Sequence, residues 1–236
     1  MTVGDLTPPE RHFSVFLKDI TSNIDWTDID DVIDAFERRI KTWYFDPAQV
    51  LIEDMPGNEF IITNIGCILI DTLSQFRAGD ENHDAKVFKA FTEKHFDNFD
   101  EKLPKVIPSD LVVASSHDVD TVSEAFYSGF RCGLAHSGTI LAFGGHSLET
   151  DGKLHEVWFD PDNPLAHCYD NSTDEKYPFV IINPIQLINE IQSALDNYIK
   201  QLKGARDTSD IRKNFARKLE YDFGEYGTRL RQSLSE

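Results

Sequence analysis

Basic residues are scarce in this chain. Lys and Arg number 23 against 41 Asp and Glu in 236 residues, a formal net charge of −18. A broad electrostatic footprint on nucleic acid needs clustered Lys and Arg, and an anionic membrane surface attracts the same residues. The charge therefore excludes both as large-area partners, and leaves room for a small basic site within an acidic shell. Cysteine is scarce too. Cys67, Cys132 and Cys168 are far apart, odd in number and without a CxxC pair, which excludes a disulfide framework and fits a reduced, cytoplasmic setting. Thr2 to Glu10 lacks a charged n-region followed by an apolar run, so no secretory signal is expected. The longest apolar stretch, around Ile65 to Ile70, is bounded by Thr63-Asn64 and Asp71 and is too short to span a bilayer. No internal repeat or low-complexity segment stands out.

Apolar side chains are plentiful. Hydrophobic residues make up 40% of the chain, with 17 Phe among them, which excludes disorder over most of the length and supports one good-sized domain over 1–236.

The spacing of those residues predicts helices. Phe13, Phe16, Leu17 and Ile20 recur at helical intervals near the start. Asp28 to Tyr44 carries an Asp28 or Asp30 cap, acidic residues in its first turn and Arg38, Arg39 and Lys41 in its last, as the helix dipole favours. Asp46-Pro47 and Pro56-Gly57 punctuate the chain. Asn58 to Arg77 reads as the central helix, with Ile61, Ile62, Ile65, Ile68, Leu69, Leu73 and Phe76 at intervals of three and four and Gly79 as its stop. Asp84 to Phe96 and Asp118 to Ser137 follow. The second carries Gly129 and Gly133 in its interior, which predicts close approach to another helix or subunit, since each costs about 1 kcal/mol relative to Ala.

Beyond Gly138 the pattern changes. Thr139 to Phe143, Lys153 to Phe159 and Pro178 to Ile182 read as short strands joined by turns. Asn183-Pro184 then opens a long amphipathic helix that Gly204 closes, and a last helix from Thr208 to Tyr221 is basic. The predicted architecture is a mainly α bundle with core helices at about 28–138 and 183–204. A small antiparallel β insertion is expected at about 139–182, and a basic C-terminal helix at about 207–222.

The chemistry concentrates in Phe130-Arg131-Cys132-Gly133-Leu134-Ala135-His136-Ser137-Gly138. Arg131 offers a permanent positive charge on a planar fork that matches phosphate oxygens. His136 is the side chain type that takes and gives protons near neutrality. Together they hold what metal-free phosphodiester cleavage needs, a proton-transfer group and a clamp for developing charge.

Arg131 and His136 match the Arg-x4-6-His motif of the HEPN superfamily (higher eukaryotes and prokaryotes nucleotide-binding domains), which the segment from Asp28 to Gly138 resembles. Asn58-Glu59-Phe60 with Ile70-Asp71-Thr72-Leu73 looks like the earlier core helix of that group, and Phe88 to Phe96 like the intervening one. The resemblance implies a helical bundle and a metal-independent endoribonuclease, often a toxin or a defence or stress effector. It implies a homodimer that brings two motifs into one cleft through the motif helix, and an antitoxin protein as a further partner. By position, His136 would assist attack of an RNA 2′-hydroxyl or protonate the leaving oxygen, and Arg131 would stabilise the charge on phosphorus. Cys132, Asp71 and Ser137 stand as supporting residues.

Other readings sit beside this one. Arg131 is suited to pair with a core carboxylate such as Asp71 or Glu124, and His136 to interact with a helix C-terminus. The same fold could serve as a non-catalytic binding or scaffold module for a nucleotide or a protein. Cys132-x3-His136 and the adjacent His167-Cys168 are metal-ligand types, but zinc needs three or four ligands in short paired spacings, so neither metal nor cofactor is expected. In the basic tail, Arg212, Lys213 and Arg217 are the candidate RNA contacts.

Overall fold

The computed structural model describes residues 24–55, 57–79, 84–102, 120–133, 149–150, 153–154, 158–159, 162, 165–169 and 179–234. Among them the protein is mainly helical. The stretch carrying Phe13, Phe16, Leu17 and Ile20, and the expected strand at Thr139 to Phe143, lie outside the described residues.

Helix α1 (Ile29–Ile40) begins at Asp28, whose carboxylate accepts from the Asp30 amide, and it buries Ile29, Val32, Ile33, Phe36 and Ile40. It passes into a π-helical segment (Lys41–Phe45) and then α2 (Asp46–Glu53). Pro47 follows directly on the π-helical segment, and the helical path continues through it, so it does not interrupt the chain as its composition suggested. Helix α3 (Glu59–Ala78) ends at Gly79, whose φ of 65° is the left-handed stop that glycine adopts without steric penalty.

Helix α3 is the hub of the bundle. It packs against α2, against α4 (Ala85–His95), against the motif segment, against α6 (Pro184–Gly204) and against α7 (Asp210–Phe223). The approach to α6 is close: a Cβ at Gly66 would lie 2.8 Å from Cδ2 of Leu187. The apolar run around Ile65 to Ile70 is thus part of a 20-residue helix of mean hydropathy 1.2. Its rise of about 30 Å matches the hydrocarbon thickness of a membrane, so by length and composition alone it could cross one. In this fold 56% of that stretch is buried inside the protein.

Aromatic residues fill the core in two groups. Phe36, Phe76 and Phe215 meet at ring separations of 4.6 to 5.6 Å and join α1, α3 and α7. Phe88, Phe99, Phe126 and Phe130 form the second, with Phe126 in contact with each of the others at 5.0 to 6.1 Å. Offset and edge-on arrangements of this kind add to the stabilisation from burial. Helix α8 (Glu225–Ser233) folds back on α7.

The expected antiparallel β insertion is not supported as a unit. Strands β1 (Glu149–Thr150), β2 (Lys153–Leu154) and β3 (Trp158–Phe159) have two residues each. Strands β4 (Ala166–Tyr169) and β5 (Phe179–Ile182) have four. Ladders this short carry too few hydrogen bonds to stand alone. The order β3-β5-β4 also includes a parallel pair, with Trp158 opposite Ile181, so the arrangement is mixed where an antiparallel one was predicted.

Candidate functional site

The motif segment opens with a short helix, α5 (Val122–Ala125). Thr121 caps it, its hydroxyl accepting from the Glu124 amide at 3.2 Å. Glu124 in turn accepts from the Asp120 amide at 2.7 Å and from Lys89 at 2.9 Å. Those contacts hold its carboxyl below the usual carboxylate range, the Asp120 amide contributing most. Glu124, one of the two carboxylates considered for Arg131, is therefore engaged elsewhere.

From Phe126 to Cys132 the backbone winds as a π-helix. Such segments are rare and concentrate at functional sites. Here the two faces of the segment differ in environment. Phe126, Gly129 and Phe130 are buried in the aromatic core, and Tyr127, Arg131 and Cys132 lie at its rim. Hydrogen bonding from residue i to i+5 brings positions five apart onto one face, and the Cys132 thiol lies beside the Tyr127 hydroxyl. Burial, followed by the charge and hydrogen bond of Cys132, raises the Tyr127 pKa.

Arg131 is the centre of the group. Its Nη2 donates to Oδ2 of Asp71 at 2.9 Å, and its guanidinium lies 5.6 Å from the centroid of the Tyr127 ring. The Arg131 and Asp71 side chains are 18% and 19% exposed, so the pair is largely withdrawn from water yet open on one side. Burial works against the Arg131 charge, but the Asp71 hydrogen bond and charge outweigh it and leave the arginine pKa raised. The guanidinium is thus charged at every relevant pH and fixed from two directions. Cys67, one helical turn before Asp71, lies beneath the pair, and burial pushes its thiol pKa far up, so it is an inert packing residue.

Of the predicted site residues, the structure brings Arg131, Cys132 and Asp71 together. His136 and Ser137 lie outside the described residues. Tyr127 belongs to the group and was not singled out from the sequence; its position four before Arg131 was the available signal.

The C-terminal candidates divide. Lys213 and Arg217 are exposed on α7. Arg212, expected to face RNA, is 5% exposed instead. Its guanidinium donates to the Leu202 carbonyl at 2.8 Å, the Lys203 carbonyl at 3.3 Å, Asp207 at 2.6 Å and Asp30 at 2.9 Å. It ties the carbonyl end of α6 to α1 and α7, which is a structural role. Lys218, Arg229 and Arg231 also have carboxylate partners, in Asp222, Glu225 and Glu220. The tail is less basic in three dimensions than its sequence indicates.

Among the described residues, no group of three or more His, Cys, Asp or Glu is placed to hold a metal ion. Searches against protein-family models, curated proteins and solved structures found no match to this chain.

Proposed function

We propose that the protein is a HEPN-like, metal-independent endoribonuclease acting as a homodimer through the motif helix. The observation that carries the reading is the fixed, partly open guanidinium of Arg131, held at 2.9 Å by Asp71 on a π-helical turn. A cation already oriented before the substrate arrives stabilises developing charge without reorganisation during the reaction. In this reading a ribose 2′-oxygen attacks the adjacent phosphorus, and the 2′-O–P bond forms as the P–O5′ bond breaks. The 2′-hydroxyl proton passes to a base and the leaving 5′-oxygen receives a proton, His136 serving one of these steps. Arg131 neutralises the charge that builds on the non-bridging oxygens. The products are a 2′,3′-cyclic phosphate and a 5′-hydroxyl end. In the same reading the expressed protein restrains growth and an antitoxin partner relieves that restraint.

The test is incubation of the purified protein with single-stranded RNA in EDTA, followed by analysis of the ends. Cyclic phosphate and 5′-hydroxyl termini support the proposal. Intact RNA, or 5′-phosphate ends, counts against it.

The same ion pair favours a second reading. A charge pair with both members about four-fifths buried is a common structural clamp, and a module that binds a nucleotide or a protein without cleaving RNA would need nothing more from Arg131. In that case Arg131→Ala changes stability and no catalytic property.

A further inference from the structure

Among the residues whose side chains are described, most aromatic ones are buried or half-buried. Among the described side chains, the only aromatic ones classed as exposed are Tyr221, at 55%, and Tyr226, at 40%. Both lie at the joint between α7 and α8, on either side of Gly224. Each has a cation over its ring: the Lys218 ammonium 5.0 Å from the Tyr221 centroid, and the Arg229 guanidinium 5.7 Å from that of Tyr226. Trp26 backs Tyr226 at 5.2 Å and fixes its orientation.

On α7, Lys213, Arg217 and Tyr221 follow one another at intervals of four. That spacing places them along one side of the helix, and all three are exposed. Neither Lys213 nor Arg217 has an ion-pair partner among the described residues, whereas Lys218, Arg229 and Arg231 do. Two uncompensated cations in line with an exposed ring are unusual on a surface carrying so much negative charge.

We infer that the Lys213–Arg217–Tyr221 stripe, with Tyr226 at its end, is a docking rail for single-stranded RNA. The cations meet the phosphate backbone, and the Tyr221 ring, which carries Lys218 over one face, offers the other to an unstacked base. Stacking on aromatic rings tolerates any base, and a short row of cations supplies local attraction that a net charge of −18 denies to the molecule as a whole. A duplex keeps its bases paired and stacked internally, so it gains the phosphate contacts alone. The choice of ligand rests on the ribonuclease reading above, but the rail makes no use of Arg131 or His136.

The experiment is fluorescence anisotropy with an end-labelled single-stranded RNA and with the same RNA as a duplex. The full chain carries His136→Ala, EDTA is present, and a gel confirms that the probe stays intact. The expected result is preference for the single strand, with affinity lowered ~5–10-fold by Tyr221→Ala. Lys213→Gln/Arg217→Gln is expected to reduce the slope of log affinity against log salt by about 0.7 per charge removed. Circular dichroism verifies the fold, which exposed substitutions leave unchanged. Equal affinity of the parent and the triple variant Lys213→Gln/Arg217→Gln/Tyr221→Ala for single-stranded RNA, equal affinity for single strand and duplex, or no RNA binding overturns the rail. The two readings separate cleanly. Loss of binding in the triple variant without cleavage by the wild type keeps the rail and removes the nuclease. Cleavage by the wild type with unchanged binding in the triple variant does the reverse.

Discussion

Arg131 and Asp71, 60 residues apart in sequence, meet at 2.9 Å across the junction of the motif segment and the central helix. This contact links the fold to the proposed chemistry. The central helix is placed by its apolar faces, and Asp71 on it then sets where a mobile, permanently charged side chain comes to rest.

Asp71→Asn keeps the shape of the side chain and removes the charge. The expected loss in urea unfolding is ~1–3 kcal/mol, the range for a partly buried charged hydrogen bond. A double-mutant cycle with Arg131→Gln should return a coupling of about 1 kcal/mol or more. Additive effects would mean that the two side chains do not share a bond in solution.

Arg212→Gln should be costly to the fold although it lies in the segment with the most basic sequence. The substitution leaves the Leu202 and Lys203 carbonyls and the Asp30 and Asp207 carboxylates without their shared donor. A loss of ~2–4 kcal/mol is expected in chemical denaturation. Lys213→Gln, exposed on the next residue, should change stability by less than about 0.5 kcal/mol.

His95 makes stability fall in mild acid. It ends α4 against the Phe91 ring, 4.7 Å away, and its Nε2 is buried without a hydrogen-bond partner, as is Nη1 of Arg77. Burial, then the charges of Arg77 and Lys94, hold its pKa down at about 4. An unfolded imidazole takes its proton near pH 6.5. Between those values the unfolded chain binds more protons than the folded one, so stability is full above about pH 6.5 and declines toward about pH 4. The ring is partly open to solvent, so the decline attributable to His95 is ~1–2 kcal/mol. From pH 7 to pH 4.5 the wild type should lose ~1–2 kcal/mol of unfolding free energy that His95→Gln keeps. Parallel curves would contradict this.

Gly227→Ala should detach α8. A Cβ there would run into the Glu220 amide nitrogen, and backbone cannot step aside as a side chain can. The variant is expected to lose ~1–3 kcal/mol and to lose amide exchange protection across 225–233 ahead of the rest of the chain.

Much of the helical framework was legible because burial imposes a period on the sequence. The Ile and Leu spacing from Ile61 to Phe76 and the Asp28, Asp84 and Asn183 caps correspond to α1, α3, α4 and α6. Two π segments were not legible. A pattern of threes and fours describes which side chains are inward, and Phe126 and Phe130 satisfy it whether the backbone bonds to i−4 or i−5. Helix α2 was hidden by Asp46-Pro47, a pair that opens a helix as readily as it ends one. Arg212 was misjudged because a sequence counts charges without their partners, and its partners come from two other helices and the turn before α7. Asp71 was foreseen as one of two possible partners for Arg131. Only the packing of α3 against the motif segment, and the engagement of Glu124 by Lys89, distinguishes them.

The most direct test of the central claim is the single-turnover rate of RNA cleavage in EDTA by wild type, Arg131→Ala and His136→Ala, each shown to be folded. The account predicts cleavage by the wild type to cyclic-phosphate ends, and a fall of ~100-fold or more in each variant, the scale for removing one charge-stabilising or proton-transfer group. RNA affinity should stay within a few-fold. Cleavage that proceeds equally in all three proteins, or a wild type that leaves RNA intact, would contradict it.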